Sequence, residues 1–170
     1  LQIDLSEQRG VELRRFVNSQ VIYTPRRRQD IDFVVVLGYP DRARQIKPAL
    51  EFLYASDLPV YSSSKIYNGI QRSDLDRDLS GIQFTAMPWT LPGYLSAELE
   101  SDATMHTAYR QLYAMGYDAF LVHRNIDNLK LEPKMPLFGS TGILSLENGV
   151  ITRQTQWGEF RKGKVRPATP

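Results

Sequence analysis

Five consecutive apolar residues, Phe33-Val34-Val35-Val36-Leu37, constrain the chain most. The run is too short and too β-branched for a helix, so it reads as a strand. Its apolarity is continuous rather than alternating, which predicts burial on both faces, as in a parallel sheet. Gly38 ends the run, and Pro40 suits the first turn of a helix. Ala43, Ile46, Leu50 and Leu53 follow at helical spacing, Asp57 and Pro59 break the pattern, and Val60-Tyr61 begins a second strand. Strand, helix and strand over about 30 residues make one right-handed βαβ unit. Ligand clefts in such folds lie beyond the carboxyl ends of the strands. The loops there are Gly38-Tyr39-Pro40 and Ser62-Ser63-Ser64.

The flanking text is predicted as shorter elements. Ser6 suits the cap of a helix whose apolar side carries Val11, Leu13, Phe16 and Val17, weakened by about 1 kcal/mol at Gly10. Val21-Ile22-Tyr23 reads as a strand. Residues 24 to 30 read as a loop, because Pro25 bars Thr24 from helical geometry and Arg26, Arg27 and Arg28 repel one another. Pro48 costs its helix one hydrogen bond and about 3 kcal/mol, which predicts a kink or a fresh start there. A short acidic helix is expected over 73 to 79, and Ile82 to Met87 alternates as a strand. Pro88, Pro92 and Gly93 mark a stiff crossing segment. Helical text resumes near Ser101, with Gly116 as a C-cap and a second helix starting about Asp118. Glu147-Asn148-Gly149 sits between two apolar runs as a hairpin turn, and the segment around Lys162-Gly163 suggests another hairpin or an extended finish. Two parallel strands, one later strand and a hairpin fall short of an ordinary sheet of about five. The missing strands are expected from before residue 1 or from a partner chain.

Composition removes several function classes. The chain has 170 residues, a net charge of +2 and no cysteine. That is enough for one domain with a core. It gives no electrostatic case for nucleic acid or membrane. Disulfides, thiolate catalysis and cysteine zinc sites are excluded. No stretch approaches the roughly 18 apolar residues of a membrane helix. No signal or lipidation motif is present and Leu1 falls in mid-pattern, so the chain is taken as a piece of something longer. Gly38 stands alone after the first strand, which disfavours a nucleotide site. Ser62, Ser63 and Ser64 with His106 or His123 suggest a nucleophile and base. There is no G-x-S-x-G turn, however, and both histidines sit in helical text, so the serines read better as caps or as donors to a polar ligand. The two histidines make a poor metal site. Residues 74 to 78 lack the glycine and terminal glutamate of a calcium loop and read as a solvated helix. Arg26, Arg27 and Arg28 suit a phosphate or an acidic partner, against the reading of a solvated loop. Trp89 and Tyr94 suit a cleft, a partner surface or hinge packing.

The segment Thr24-Pro25-Arg26-Arg27-Arg28-Gln29-Asp30-Ile31-Asp32-Phe33 resembles the signature of the LppC/LpoA lipoprotein family, outer-membrane activators of penicillin-binding proteins. Ile46-Lys47-Pro48, residues 113 to 119, and residues 139 to 149 with Trp157 agree with it, so the resemblance spans essentially the whole chain. It implies an α/β fold of the type I periplasmic-binding-protein kind, in its C-terminal part. Residues 1–88 would be second-lobe βα units, 89–137 the hinge crossing and first-lobe helices, and 138–170 a return hairpin. It also implies a non-enzymatic regulator with no cofactor and no catalytic residue. The partner would be a class A penicillin-binding protein, a bifunctional peptidoglycan synthase whose transpeptidase is stimulated. The place would be the periplasmic face of the outer membrane in a Gram-negative bacterium, with the lipid anchor outside these residues. Arg26, Arg27, Arg28 and Trp89 are the expected partner contacts. One rival keeps the fold but makes it a solute-binding module for a small polar ligand, held by Gly38, Tyr39, Ser62, Ser63, Ser64 and Tyr67. A second rival is a hydrolase using the serine run.

Overall fold

In the computed structural model of the chain, residues 3–17, 30–94 and 107–169 are described. In order they form α1 (Ile3–Val17), β1 (Val34–Val36), α2 (Pro40–Phe52), β2 (Val60–Ser62), β3 (Ile82–Ala86) and α3 (Thr107–Leu131). There follow β4 (Leu137–Phe138), β5 (Ile143–Glu147), β6 (Val150–Gln154), β7 (Gln156–Arg161) and β8 (Lys164–Ala168). Single 3₁₀ turns span Ser64–Ile66, Asp76–Leu79 and Pro88–Thr90.

The βαβ unit forms as its sequence requires. β1 and β2 pair in parallel, with Val34 opposite Val60 and Val36 opposite Ser62. Pro40 opens α2, whose Ala43 and Leu50 are buried. β3 joins β2 in parallel, so the unit continues for a third strand. The β7–β8 hairpin then adds to β3 antiparallel, giving a five-stranded sheet in the order β1-β2-β3-β7-β8. The expected strand deficit is therefore made up largely from the chain's own last residues. β4, β5 and β6 form a separate three-stranded sheet. Both hairpins turn on a pair with positive φ, Asn148-Gly149 and Lys162-Gly163, the geometry that matches the right-handed twist of the strands.

The core lies under one face of the larger sheet. Val36, Val60, Ile82, Phe84 and Phe160 point into it, against Ala43 and Leu50 of α2 and against Ile66, Tyr67 and Leu79 of the long β2–β3 connection. Phe84, Phe160 and Tyr67 form a ring cluster with centroids 4.9, 5.7 and 5.9 Å apart.

Several expectations change. β1 is not buried on both faces: Phe33, Val35 and Leu37 are 55%, 54% and 78% exposed, because only one face of β1 is covered among the described residues. α2 runs unbroken through Pro48. Gly116 ends nothing, and α3 is one helix of 25 residues. Ala114, Asp118 and Leu129 share a single buried face across the glycine, and that packing outweighs a local propensity near 1 kcal/mol. The 73–79 segment is exposed as expected except at Asp76 and Leu79, which are buried, and its helix is a single 3₁₀ turn over Asp76–Leu79. The expected strand at Val21 to Tyr23, the arginine loop and the start of helical text near Ser101 lie outside the described residues. α1 stands apart from the core, with Leu5, Leu13, Phe16 and Val17 exposed. No helix among the described residues is long and apolar enough to cross a membrane.

Phe160→Ala should empty one third of the ring cluster and lower stability by about 3–5 kcal/mol in a urea denaturation experiment. A loss below about 1 kcal/mol would show that the terminal hairpin is not part of the core.

Candidate functional site

The two loops at the carboxyl ends of β1 and β2 do converge. They enclose a cleft of about 270 Å³ whose walls include Tyr39 and Asp41 on one side and Tyr67 and Arg72 on the other. Tyr39 and Tyr67 therefore meet as the sequence suggests, although Tyr67 is 5% exposed and its ring belongs to the core cluster. Gly38, Ser62, Ser63 and Ser64 do not line the cleft. Ser62 is buried, and its hydroxyl donates to the Val36 carbonyl oxygen at 2.7 Å, fastening β2 to β1. That hydroxyl is spent on structure. Ser63 precedes the Ser64–Ile66 turn without a side-chain capping bond. His123 is exposed on α3, and His106 lies outside the described residues.

The floor of this cleft is an ion pair that the sequence reading missed. Arg44 donates to Asp76 at 2.8 Å and to Asp41 at 2.6 Å. The second oxygen of Asp76 accepts the Arg72 backbone N–H at 3.0 Å. Asp76 is 3% exposed, so both its oxygens have to be satisfied inside the protein. The Arg44 Nε is buried without a partner.

A second constellation sits where the chain leaves β3 and where it returns after α3. The Trp89 N–H donates to the Ser140 carbonyl at 3.0 Å. The Tyr94 hydroxyl donates to the Gly139 carbonyl at 3.1 Å. Asp118, 5% exposed in the middle of α3, accepts the Ser140 N–H at 2.6 Å, the Thr141 N–H at 2.8 Å and the Thr141 hydroxyl at 2.5 Å. Gly139 is required here because a Cβ would lie 2.6 Å from an Asp118 oxygen. At Gly142 a Cβ would lie 2.3 Å from the Gln154 carbonyl oxygen. The Gly-Ser-Thr-Gly loop is thus clamped from α3, from the segment after β3 and from the end of β6. The Trp89 ring lies tilted against Tyr113 at 5.6 Å, with its indole Nε1 buried and unpartnered. Asp118 is not a helix cap. The signal that finds it is an aspartate at i+4 from Ala114 on the apolar face, together with a glycine-bounded Ser-Thr pair whose backbone N–H groups need an acceptor. Partial burial raises the Tyr94 phenol above its ordinary 10.0; a bond with Ser140 opposes the rise and the nearby Asp118 charge adds to it. Among the described residues no group of three or more potential ligands could hold a metal ion. Arg26, Arg27 and Arg28 lie outside the described residues.

Residues 1–163 match the family model of the LppC putative lipoproteins. The chain belongs to the LppC family. Among curated relatives, the penicillin-binding protein activator LpoA of Dickeya chrysanthemi is 30% identical over 146 residues, 82% of this chain and 21% of that protein. The corresponding protein of Klebsiella pneumoniae is 26% identical over 144 residues, 82% of this chain and 20% of that protein. The LppC chain thus spans about a fifth of the length of the curated relatives it matches. Full-length LpoA of Haemophilus influenzae superposes with a TM-score of 0.69 at 25% identity, covering 82% of this chain and 27% of that one. The C-domain of the same organism's LpoA (YraM), a regulator of PBP1A, superposes at 0.68 and 23% identity, covering 94% and 49%. The α/β fold expected from the sequence is the fold of these LpoA structures.

Asp118→Ala leaves two buried N–H groups without an acceptor. It should cost this LppC domain about 3 kcal/mol and expose the Ser140 and Thr141 amides to hydrogen exchange. Unchanged protection there would show that the carboxylate does not hold the loop. Because the folded-state pKa of Tyr94 is raised, its contribution is complete below pH 10.0 and is lost as pH rises through the folded value. Tyr94→Phe should therefore flatten the alkaline fall of Tm measured from pH 9 to 11, a range chosen about the ordinary tyrosine value of roughly 10.

Proposed function

We propose that the protein is a non-enzymatic periplasmic regulator that binds and stimulates a class A penicillin-binding protein, a bifunctional peptidoglycan synthase. The observation that carries this reading is the LppC family match across residues 1–163, joined to relatives that are themselves penicillin-binding protein activators. The likeness in fold to full-length Haemophilus influenzae LpoA supports it. The protein works at the periplasmic face of the outer membrane, held by a lipid on a cysteine that these 170 residues do not contain. The fold is a bilobed, type I periplasmic-binding arrangement. The five-stranded sheet belongs to the second lobe, and α3 with the β4–β5–β6 sheet belongs to the first. The segment 87–94 and the β6–β7 junction at 154–156 are the crossings between them, and the clamped loop at 139–142 lies against both. Support comes from the separation of the two sheets and from the meeting of Trp89, Tyr94, Asp118 and Ser140 between them. The partner is met through Arg26, Arg27, Arg28 and Trp89.

A second reading has one observation in its favour, the cleft bounded by Tyr39, Arg44 and Tyr67. There a small polar molecule would bind instead of, or beside, the synthase. Of the serine run that the hydrolase reading would use, the Ser62 hydroxyl is committed to the Val36 carbonyl.

The test is the transpeptidase rate of a purified class A synthase with and without the full-length protein. Stimulation is expected, and its absence over a saturating range overturns the proposal. Charge reversal of Arg26, Arg27 and Arg28 to Glu should weaken capture of the synthase by about tenfold or more. If capture and Tm are both unchanged, the arginine run has neither a binding nor a structural role. Calorimetry with amino acids and sugars separates the second reading, which requires saturable binding with no effect on a synthase.

A further inference from the structure

Beside the clamped loop, on the outer side of the sheet, lies a cleft of about 520 Å³, roomier than the one over β1 and β2. Its walls come from the chain after β3, from β4, from the β6–β7 junction and from the end of β8. It is separate from the cleft over β1 and β2, and the two differ in chemistry. The first is built on Asp41, Arg44, Arg72 and Asp76. Among the described residues, the second has no charged side chain in its lining. A charged ligand would lose hydration there with nothing to replace it. The lining instead pairs aromatic rings with amides and hydroxyls: Tyr94, Phe138 and Trp157 against Gln154, Thr155 and Gln156.

That combination selects a neutral ligand with both an apolar face and a hydrogen-bonding rim. An aromatic ring presents a negative face, which attracts weakly positive C–H groups. Each glutamine amide offers two donors and an acceptor, and threonine offers one donor and two lone pairs. A sugar ring has C–H groups on its faces and hydroxyls around its edge, so it answers both halves of the lining at once. An alkyl chain would leave the amides unpaired, and an ion would find no counter-charge. The volume falls within the roughly 300–1,000 Å³ of ordinary small-molecule sites.

The site is also preorganised. Its Gly139–Gly142 edge is held by Asp118 and by Tyr94, and Trp157 is braced by Tyr61 at 5.9 Å, which itself meets Phe33 at 5.9 Å. We propose that this cleft is a binding site for a neutral saccharide of one or two rings, stacked on Trp157 and Phe138 and hydrogen-bonded by Gln154, which lies opposite Ile143 on the cleft side of its strand. Nothing in this depends on the synthase.

The test is titration of the full-length protein with di-N-acetylchitobiose and, separately, with cellobiose, followed by calorimetry and by tryptophan fluorescence. Saturable binding of at least one disaccharide is expected. Gln154→Ala should weaken it by about tenfold, the worth of one good hydrogen bond, with Tm unchanged because that side chain is exposed. Phe138→Ser, at a side chain 73% exposed, should weaken it similarly. No saturable response to either sugar overturns the proposal. So does a response that neither substitution reduces, since the sugar would then be bound elsewhere. Failure here leaves the transpeptidase test untouched.

Discussion

The contact between Phe84 and Phe160, 4.9 Å between ring centres, holds the parallel half of the five-stranded sheet to its antiparallel half. Phe84 sits on the last parallel strand, and Phe160 sits on a hairpin that the chain reaches only after α3 and a second sheet. Closing a loop of that length costs only a few kcal/mol more than closing a short one, because the cost grows with the logarithm of length. Two large, fully buried rings with Tyr67 beside them readily exceed it. Every intervening element is therefore tethered at both ends to one sheet. The crossing segments run close together because β3 and β7 are neighbours, Ala86 lying opposite Gln156.

The Asp118 clamp follows from that arrangement. Packing alone fixes distances between layers but leaves the loop backbone free to rotate. A carboxylate that accepts two consecutive backbone N–H groups and a hydroxyl fixes orientation as well. It works only because it is buried, where competition from water is weak and an unmade bond is expensive. The two flanking glycines are the steric counterpart of the same device: one makes room for the carboxylate, the other for the Gln154 carbonyl. Four adjacent positions thus carry constraints from three different elements.

What was legible in the sequence was whatever depends on near neighbours. The β1–α2–β2 unit, the alternation of β3 and the Asn148-Gly149 turn each announce themselves within about ten residues, since periodicity and positive φ are local properties. The family resemblance was legible from the arginine motif for a different reason, as a pattern matched whole. Misread were the places where a distant contact decides. The apolar run of β1 cannot reveal that only one of its faces is covered among the described residues, because what packs on a strand is not written in the strand. Gly116 looks like a helix stop until a common buried face carries α3 through it. Of the site residues, Tyr39 and Tyr67 line one cleft, Tyr39 from the loop after β1 and Tyr67 from beyond the 3₁₀ turn that follows β2. Ser62 pointed inward, because the alternation of β2 turns it to the same side as Val60.

The polar groups that the sequence reading missed share one property, which explains why they were missed. Asp76 and Asp118 both lie in text that reads as surface, one in an acidic run and one beside a supposed helix start. Each is buried because its partners come from far along the chain: Arg44 is 32 residues from Asp76, and Ser140 is 22 from Asp118. A buried carboxylate without such a partner would shift toward its neutral form or unfold its surroundings. With one, it becomes a specific tie that only a single tertiary arrangement satisfies. The Arg44–Asp76 pair fastens α2 to the β2–β3 connection, and Asp118 fastens α3 to the returning chain. Two layers that apolar packing would allow to slide are thereby held in one register. The two clefts lie against these two ties, where the backbone on either side cannot relax to fill the space.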